Sequence, residues 1–362
     1  MLNQLDVSSW GLFCGEEGRQ LVRIDDEACG PVSARKVTRA LPRRLLLDEN
    51  RVAQAFRTGE ALTEEVTCGT TLYTIEIRPL FAPKSKTVIA VYAGVWPVNE
   101  STPEPPEVGC WEWVIEREEN GSPSVRKRTY WDEGLFKIYS LDSSLAQAFP
   151  GYWDAGTRMN QLVDQADKLR LNTSIREGVH DGLAGVTGRV RCLTYHAVTG
   201  YGSSRPGRRH LRLVGHFVPV ESQDMNIVLQ GFSYPVPEWF QDLALEQDAA
   251  RVDDALGAVL ELAQSPIAIV DTTTFEVLSS SLVWQQEGLG HNGPMGGMSN
   301  RLVGDPEIVK RFLRVAAQDV ESPHSTTLDV WLSDGSVGQV TLTVLGVRGT
   351  GPGRDAVVRI DL

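Results

Sequence analysis

The chain has 362 residues, of which 41% are hydrophobic and 23% charged, and it carries a net charge of −12. That composition is ordinarily globular, leaves room for two or three domains and excludes a disordered or collagenous chain. The acidic balance opposes a nucleic-acid partner, and no run reaches the about 18 apolar residues of a membrane span.

The N-terminal run MLNQLDVSSWGLF has no Lys or Arg ahead of its short apolar part, which makes it a poor signal peptide, and the odd, sparse set of five cysteines fits the reduced thiols of a cytoplasmic protein. Cys14, Cys29, Cys68, Cys110 and Cys192 are scattered without pairing motifs, as expected of reduced thiols used as small buried apolar residues.

Residues 1–98 form a first unit. Ser9–Cys14 and Arg19–Ile24 read as a strand pair. Asp48 can cap a helix through Arg57, stopped by Gly59. Leu72–Leu80 alternates, with Tyr73, Ile75 and Ile77 on one face. Val88–Trp96 is continuously apolar, and Pro83–Lys86 is the turn between the two runs. Residues 99–108, NESTPEPPEV, hold three prolines and three glutamates and read as an extended linker.

The densest aromatic cluster follows. Trp111, Trp113 and Ile115 alternate with Glu112, Val114 and Glu116, as in a strand with one apolar face. Asn120–Gly121 marks a turn, Val125–Trp131 is a second extended run, and Asp132 can cap a helix carrying Leu135, Phe136, Ile138 and Tyr139. This stretch, W-E-W through Y-W-D-E to I-Y-S-L-D, resembles the opening of a PAS domain. Met159–Val179 has a helical pattern, and Gly188–Val198, Arg209–Val218 and Met225–Tyr234 are extended. The closing element Leu229-Gln230-Gly231-Phe232 resembles the end of a PAS domain, so the resemblance brackets residues 109–236.

Residues 237–264 read as a helix with a short coiled-coil-like seam that includes Leu245, Val252, Leu256 and Val259, suited to packing between domains or between two copies. Residues 265–362 open with Pro266–Asp271, a polar turn and the strand Phe275–Ser280. A helix over Pro306–Gln318 and three further strands complete them, and this opening also resembles that of a PAS domain. Strand pair, helical middle and three strands thus recur three times, an inexact architectural repeat. The fold expected is α+β: three tandem PAS-like domains, each an antiparallel sheet of about five strands with helices on one face.

Candidate chemistry is sparse. Cys192 and His196 share one strand face and His210 and His216 the next, so a hairpin could gather the four into a zinc or haem site; His180 is a second haem candidate. Their spacing matches no zinc signature. The loop 199–208 carries Gly200, Gly202 and Gly207 among arginines without following a strand into a helix, so it is no phosphate-binding fingerprint. The sequence has no Gly-x-Ser-x-Gly elbow, kinase signature or His-Glu-x-x-His. Trp113, Tyr130, Phe136 and Tyr139 are the candidates to line a ligand pocket; plain core packing is the competing use of the same aromatics.

The PAS resemblance implies signalling: a small-molecule ligand held between sheet and helices, and sheet faces or flanking helices that dock a protein partner or a second copy. The third unit runs to Leu362 without a recognisable output module, so the expectation is a non-enzymatic, stand-alone sensor or adaptor. A scaffold with filled cores, or a metal protein or enzyme using Cys192, His196, His210 and His216, are the rival readings. No cofactor is named by the sequence.

Overall fold

The computed structural model describes residues 4–117, 123–141, 153–154, 162–164, 167–183, 190–200, 206–218, 227–240, 260, 262–272, 275, 277–287, 289, 301–331, 336–347 and 355–361. The chain forms two compact units. One comprises residues 1–114, 128–153 and 176–247, the other residues 115–127, 154–175 and 248–362.

The first sheet contains β1 (Trp10–Cys14), β2 (Gln20–Ile24), β3 (Glu27–Ser33), β4 (Leu62–Cys68), β5 (Thr71–Phe81) and β6 (Val88–Pro97), in the order β3-β2-β1-β6-β5-β4. All its pairings are antiparallel. The long β5–β6 hairpin follows from the alternation seen in sequence: Ile75 and Ile77 are buried while their neighbours are not. β3 and β4 were not expected. β4 reads LTEEVTC, and its half-buried Leu62, Val66 and Cys68 alternate with exposed polar residues at an edge, where burial is too slight to mark the sequence.

The inner face of this sheet is covered by α1 (Arg51–Thr58) and by short helical turns before it. Asn50, with φ 59°, precedes α1, and Gly59, with φ 71°, ends it, as Gly does at helix termini. The doubled arginine at 43–44 opens a stretch of wide helix, Arg43–Asp48, in which the amide of Glu49 reaches the carbonyl of Arg44. It turns Leu45 and Leu46 into the core with Phe13, Leu21, Val52 and Val91.

The second sheet contains β7 (Gly109–Arg117), β8 (Pro123–Trp131), β9 (Trp153–Asp154), β10 (Arg191–Thr199), β11 (Gly207–Val218) and β12 (Ile227–Pro235), in the order β10-β11-β12-β7-β8-β9. The helix α2 (Glu133–Ile138) lies over its inner face; α3 (Lys168–Leu183) begins later than the sequence pattern suggested.

The outer faces of the first two sheets pack on each other. Trp10, Leu12, Cys14, Val22, Tyr92 and Trp96 join Cys110, Val214, Phe232 and Tyr234 in one buried cluster. Trp10 packs at 4.5 Å from Trp96 and 6.0 Å from Tyr92, ring centre to ring centre. Two polar clamps cross this apolar layer. At one, Arg212 of β11 is fully buried and donates to the carbonyls of Val22 (3.0 Å), Cys29 (2.5 Å) and Gly30 (3.2 Å) and to the Tyr234 hydroxyl (2.9 Å). At the other, Glu112 of β7 accepts the amides of Lys84 and Ser85, both at 2.8 Å, and so holds the β5–β6 turn. Gln230 joins the second clamp through Glu112, Ser85 and Thr87.

The linker 99–108 is seated rather than free. Trp10 donates its indole N–H to the carbonyl of Pro103 (3.0 Å), Tyr92 its hydroxyl to Pro106 (3.0 Å) and Arg23 its guanidinium to Glu107 (2.8 Å). Proline keeps this stretch extended, and an extended chain presents the carbonyls that the buried donors need.

In the other unit, a five-stranded sheet has the order β14-β13-β17-β16-β15, from β13 (Ile267–Asp271), β14 (Val277–Ser280), β15 (His324–Trp331), β16 (Val337–Gly346) and β17 (Asp355–Asp361). α4 (Leu282–Gln286) and α5 (Pro306–Ala316) belong to the same unit, and Trp284, Leu313, Leu342, Val344 and Val358 meet in its core. Asp305 caps α5 by accepting the amide of Glu307 at 2.9 Å, with Pro306 in the first turn. Set aside β3 and β9, and one strand order is common to all three sheets: second, first, fifth, fourth, third in chain sequence.

The expected helix at 237–264 is described only at its ends. Pro237–Phe240 form a turn, closed by the amide of Phe240 on the carbonyl of Pro237 at 2.9 Å. Leu245, Val252, Leu256 and Val259 lie outside the described residues.

Removing the Arg212 guanidinium takes a fully buried donor from the carbonyls of Cys29 and Gly30 and leaves Val22 and the Tyr234 hydroxyl only their bond to each other. Arg212→Ala is expected to lower stability by about 3–5 kcal/mol, as for loss of one partner from a buried charged network. Arg212→Lys should recover only a small part of it, because an ammonium lacks the planar fork. Urea unfolding followed by tryptophan fluorescence checks both.

Candidate functional site

The second sheet offers two chemically distinct faces, because successive residues of a strand point to opposite sides. Cys110, Glu112, Cys192, His196, His210, Arg212, Val214, His216, Gln230, Phe232 and Tyr234 fall on the outer side. Trp111, Trp113, Thr129, Trp131, Tyr195, Gly231 and Ser233 fall on the inner side, beneath α2.

Asp132 starts α2 as its sequence position suggested, accepting the amide of Leu135 at 2.8 Å. Burial raises the Asp132 carboxyl above the usual range, while the bonds it accepts from Leu135 and Cys110 oppose that shift. The helix turns Leu135, Phe136 and Ile138 inward. Trp131 lies 5.7 Å from Phe136 and 4.8 Å from Tyr139, and its indole donates to Thr129 at 3.1 Å. The hydroxyls of Tyr139 and Tyr195 bond each other at 2.7 Å in a buried position. Burial, followed by the neighbouring Tyr195, raises the Tyr139 phenol well above its ordinary value.

Trp111 has a seat of its own. Gly215 and Gly231 face each other across β11 and β12. A Cβ on Gly215 would come within 2.6 Å of the Trp111 ring, and one on Gly231 within 2.4 Å of it and 2.2 Å of the Val214 carbonyl. The paired glycines thus make the flat floor on which the indole lies. The Trp111 indole nitrogen and the Ser233 hydroxyl are buried without a hydrogen-bond partner. Native proteins keep such groups few, and ordered water commonly meets them.

Of the expected pocket residues, Trp113, Phe136 and Tyr139 are buried on this inner side. Tyr130 is on the other side of β8, where the Lys84 ammonium stands 5.2 Å from its ring. Trp111, Tyr195 and Ser233 were not singled out. Trp111 was marked in sequence only as part of the strand, although its spacing from Trp113 puts both on one face.

The four expected metal-binding residues do not converge. His196 and His210 are direct cross-strand partners with rings stacked at 4.5 Å. His216, six residues along β11, stands on the order of 20 Å from His210 at strand rise; burial lowers its imidazole below the ordinary value. Cys192 packs against the core between the two sheets. The side chain of His180 lies outside the described residues, as does the loop 201–205.

A separate cleft of about 370 Å³ opens on the first sheet, lined among others by Glu49, Arg51, Gln54, Glu60 and Glu64. Arg51 bridges Glu49 and Glu64 within it, so the cleft is organised by its own charges.

No family model matches the chain, and no curated protein does. Among solved structures, an uncharacterized protein from Mycobacterium tuberculosis aligns over 98% of this chain and 96% of its own length, with a TM-score of 0.59 and 16% identity. The two share a fold along their length. PAS and light-oxygen-voltage domains are also among the structures resembling parts of the chain. The PAS domain of an HTR-like protein from Haloarcula marismortui covers 32% of it at TM-score 0.25 and 15% identity. A light-oxygen-voltage domain covers 31% at 0.24 and 19%. No helix among the described residues is long and apolar enough to cross a membrane.

Two substitutions test the energetics of this layer. Tyr139→Phe and Tyr195→Phe should each cost about 1–2 kcal/mol by removing the hydrogen bond the two hydroxyls share, and the double variant should cost less than their sum. At Asp132 the folded-state pKa exceeds the unfolded one, so its ionisation penalises the fold increasingly as pH rises through the folded value. Asp132→Asn, which keeps the cap acceptor, is therefore expected to be neutral or stabilising near pH 7, whereas Asp132→Ala should cost about 1 kcal/mol. Thermal unfolding of both variants at acid and neutral pH checks the sign.

Proposed function

We propose that this chain is a non-enzymatic sensor or signalling adaptor built from three PAS-like domains, acting through ligand- or partner-dependent rearrangement. The observation that carries the sensing side is the pair of buried, unpartnered polar atoms on the inner face of the second sheet, Trp111 Nε1 and Ser233 Oγ. A small molecule with a hydrogen-bond acceptor for the indole and a polar group for the serine would satisfy both, with aromatic surface around it. Trp113, Phe136 and Tyr139 are the aromatic residues that would shape that environment.

The adaptor reading, with filled cores and no ligand, is favoured by a different fact. Trp131, Phe136, Tyr139 and Tyr195 already satisfy one another through ring contacts and the tyrosine–tyrosine bond. In that reading the two orphan polar atoms are met by water, and the protein works only through surfaces that bind other proteins.

Native mass spectrometry of the protein purified from its source separates the readings. Sensing predicts a bound species of defined mass that is lost in Trp111→Phe and Ser233→Ala variants that still fold. A chain found only at its own mass supports the adaptor reading and overturns the ligand.

A further inference from the structure

On the outer side of the second sheet, away from Trp111 and Ser233, three metal-ligating side chains meet. His196 of β10 and His210 of β11 are register partners, and their rings stack at 4.5 Å with 16° between planes. Glu238, in the turn after β12, places Oε2 3.1 Å from His196 Nε2. One ligand atom from each of the three lies within 4.8 Å of the others. We propose that His196, His210 and Glu238 form a binding site for a divalent transition metal, with zinc as the ion that its donors fit.

Three features support the assignment. The first is the tautomer of His210. Its Nδ1 lies 2.9 Å from the carbonyl of Pro237. A carbonyl only accepts, so the proton is on Nδ1 and a neutral ring carries its lone pair on Nε2. Histidine ligands are commonly oriented this way by a carbonyl on the far nitrogen. The second is the donor set. Two imidazoles and one carboxylate match zinc and its neighbours in the first transition row, whereas magnesium and calcium prefer oxygen throughout. The third is how the site is mounted. His210 is buried and the His196 side chain is 20% exposed, both on paired strands, whereas the Glu238 side chain is 72% exposed. Two ligands are thus fixed on the sheet and the third is carried on an exposed side chain.

Sequence pointed to Cys192 and His216 as the companions of the two histidines; the turn at Pro237 supplies Glu238 instead. The consequence of loading the site would be local. A metal would tie Pro237–Phe240 to β10 and β11, and Phe240 is the ring over which the Arg212 guanidinium lies, at 5.2 Å.

The test is calorimetric titration of the metal-stripped full chain with zinc chloride near neutral pH. Binding of one zinc per chain is expected. His196→Gln and His210→Gln should each weaken it by about tenfold or more, and Glu238→Gln by several fold, on the scale of losing a ligand or its support. Cys192→Ala and His216→Gln should leave it unchanged. Because His210 is buried, its variant is first checked for folding by circular dichroism; Glu238→Gln, at an exposed position, carries the test if that variant unfolds. Imidazole nitrogen NMR should show zinc shifting the resonances of His196 and His210 and leaving that of His216 in place. Failure to take up stoichiometric zinc overturns the proposal. So does uptake that survives the His196 and Glu238 changes, uptake lost equally on changing His216, or equal binding of magnesium.

Discussion

Arg212 is the constraint on which the first compact unit depends. A guanidinium removed from water is tolerated only when its donors are met, and here they are met by backbone carbonyls of β2 and β3 together with a tyrosine hydroxyl. The carbonyls belong to the first sheet, whereas Arg212 and Tyr234 belong to the second. The first sheet therefore cannot slide on the second without stranding a charge. Glu112 imposes the same condition at the β5–β6 turn, with the opposite sign of charge. Between the two clamps lies an apolar layer of tryptophan, tyrosine and aliphatic side chains. Apolar packing supplies the attraction, and the two buried charges set the register.

The cysteines show the consequence of that dry layer. Cys14 is driven far above the ordinary thiol range by burial first and by the neighbouring Cys192 next, and Cys29 is pushed up to about 11 even with Arg212 pulling the other way. Burial of this kind disfavours the thiolate, and Cys29 in addition donates its thiol to the carbonyl of Leu21 at 3.7 Å. The proline-rich linker is governed by the same scarcity of water. Trp10, Tyr92 and Arg23 are buried donors that need acceptors, and the carbonyls of Pro103, Pro106 and Glu107 bring them.

Much of the fold was legible because most strands are patterned by one-sided burial. The alternation at Trp111–Glu116, the cap at Asp132, the turn at Pro83–Lys86 and the strands of the third sheet all rest on local chemistry. β3 and β4 escaped notice because edge strands bury little and so carry weak patterns. The site was less legible. Periodicity put His196 and His210 on matching faces, but it could not say that a three-residue step past β12 would bring Glu238 to them. Alternation along Val125–Trp131 already puts Tyr130 and Trp131 on opposite faces, but it does not say which face α2 covers. Gly231 stands out in sequence within the closing element, but only the register pairs it with Gly215 beneath Trp111.

The alternation of strand residues also limits how the second sheet can transmit anything. Trp111 and Gly231, which form the seat on the inner side, are neighbours in sequence of Glu112 and Gln230, which form the polar clamp on the outer side. The indole lies against backbone, with no side chain between to absorb a shift. An occupant that displaced Trp111 would have to move the same peptide planes that carry the clamp, and the clamp carboxylate holds two amides of the first sheet at 2.8 Å. Hydrogen bonds weaken steeply once they are bent below about 120°. A close-packed layer answers such a displacement by switching between arrangements rather than by stretching. A sensor built on this sheet would therefore transmit through the strands themselves, from Trp111 to Glu112 and into the β5–β6 turn.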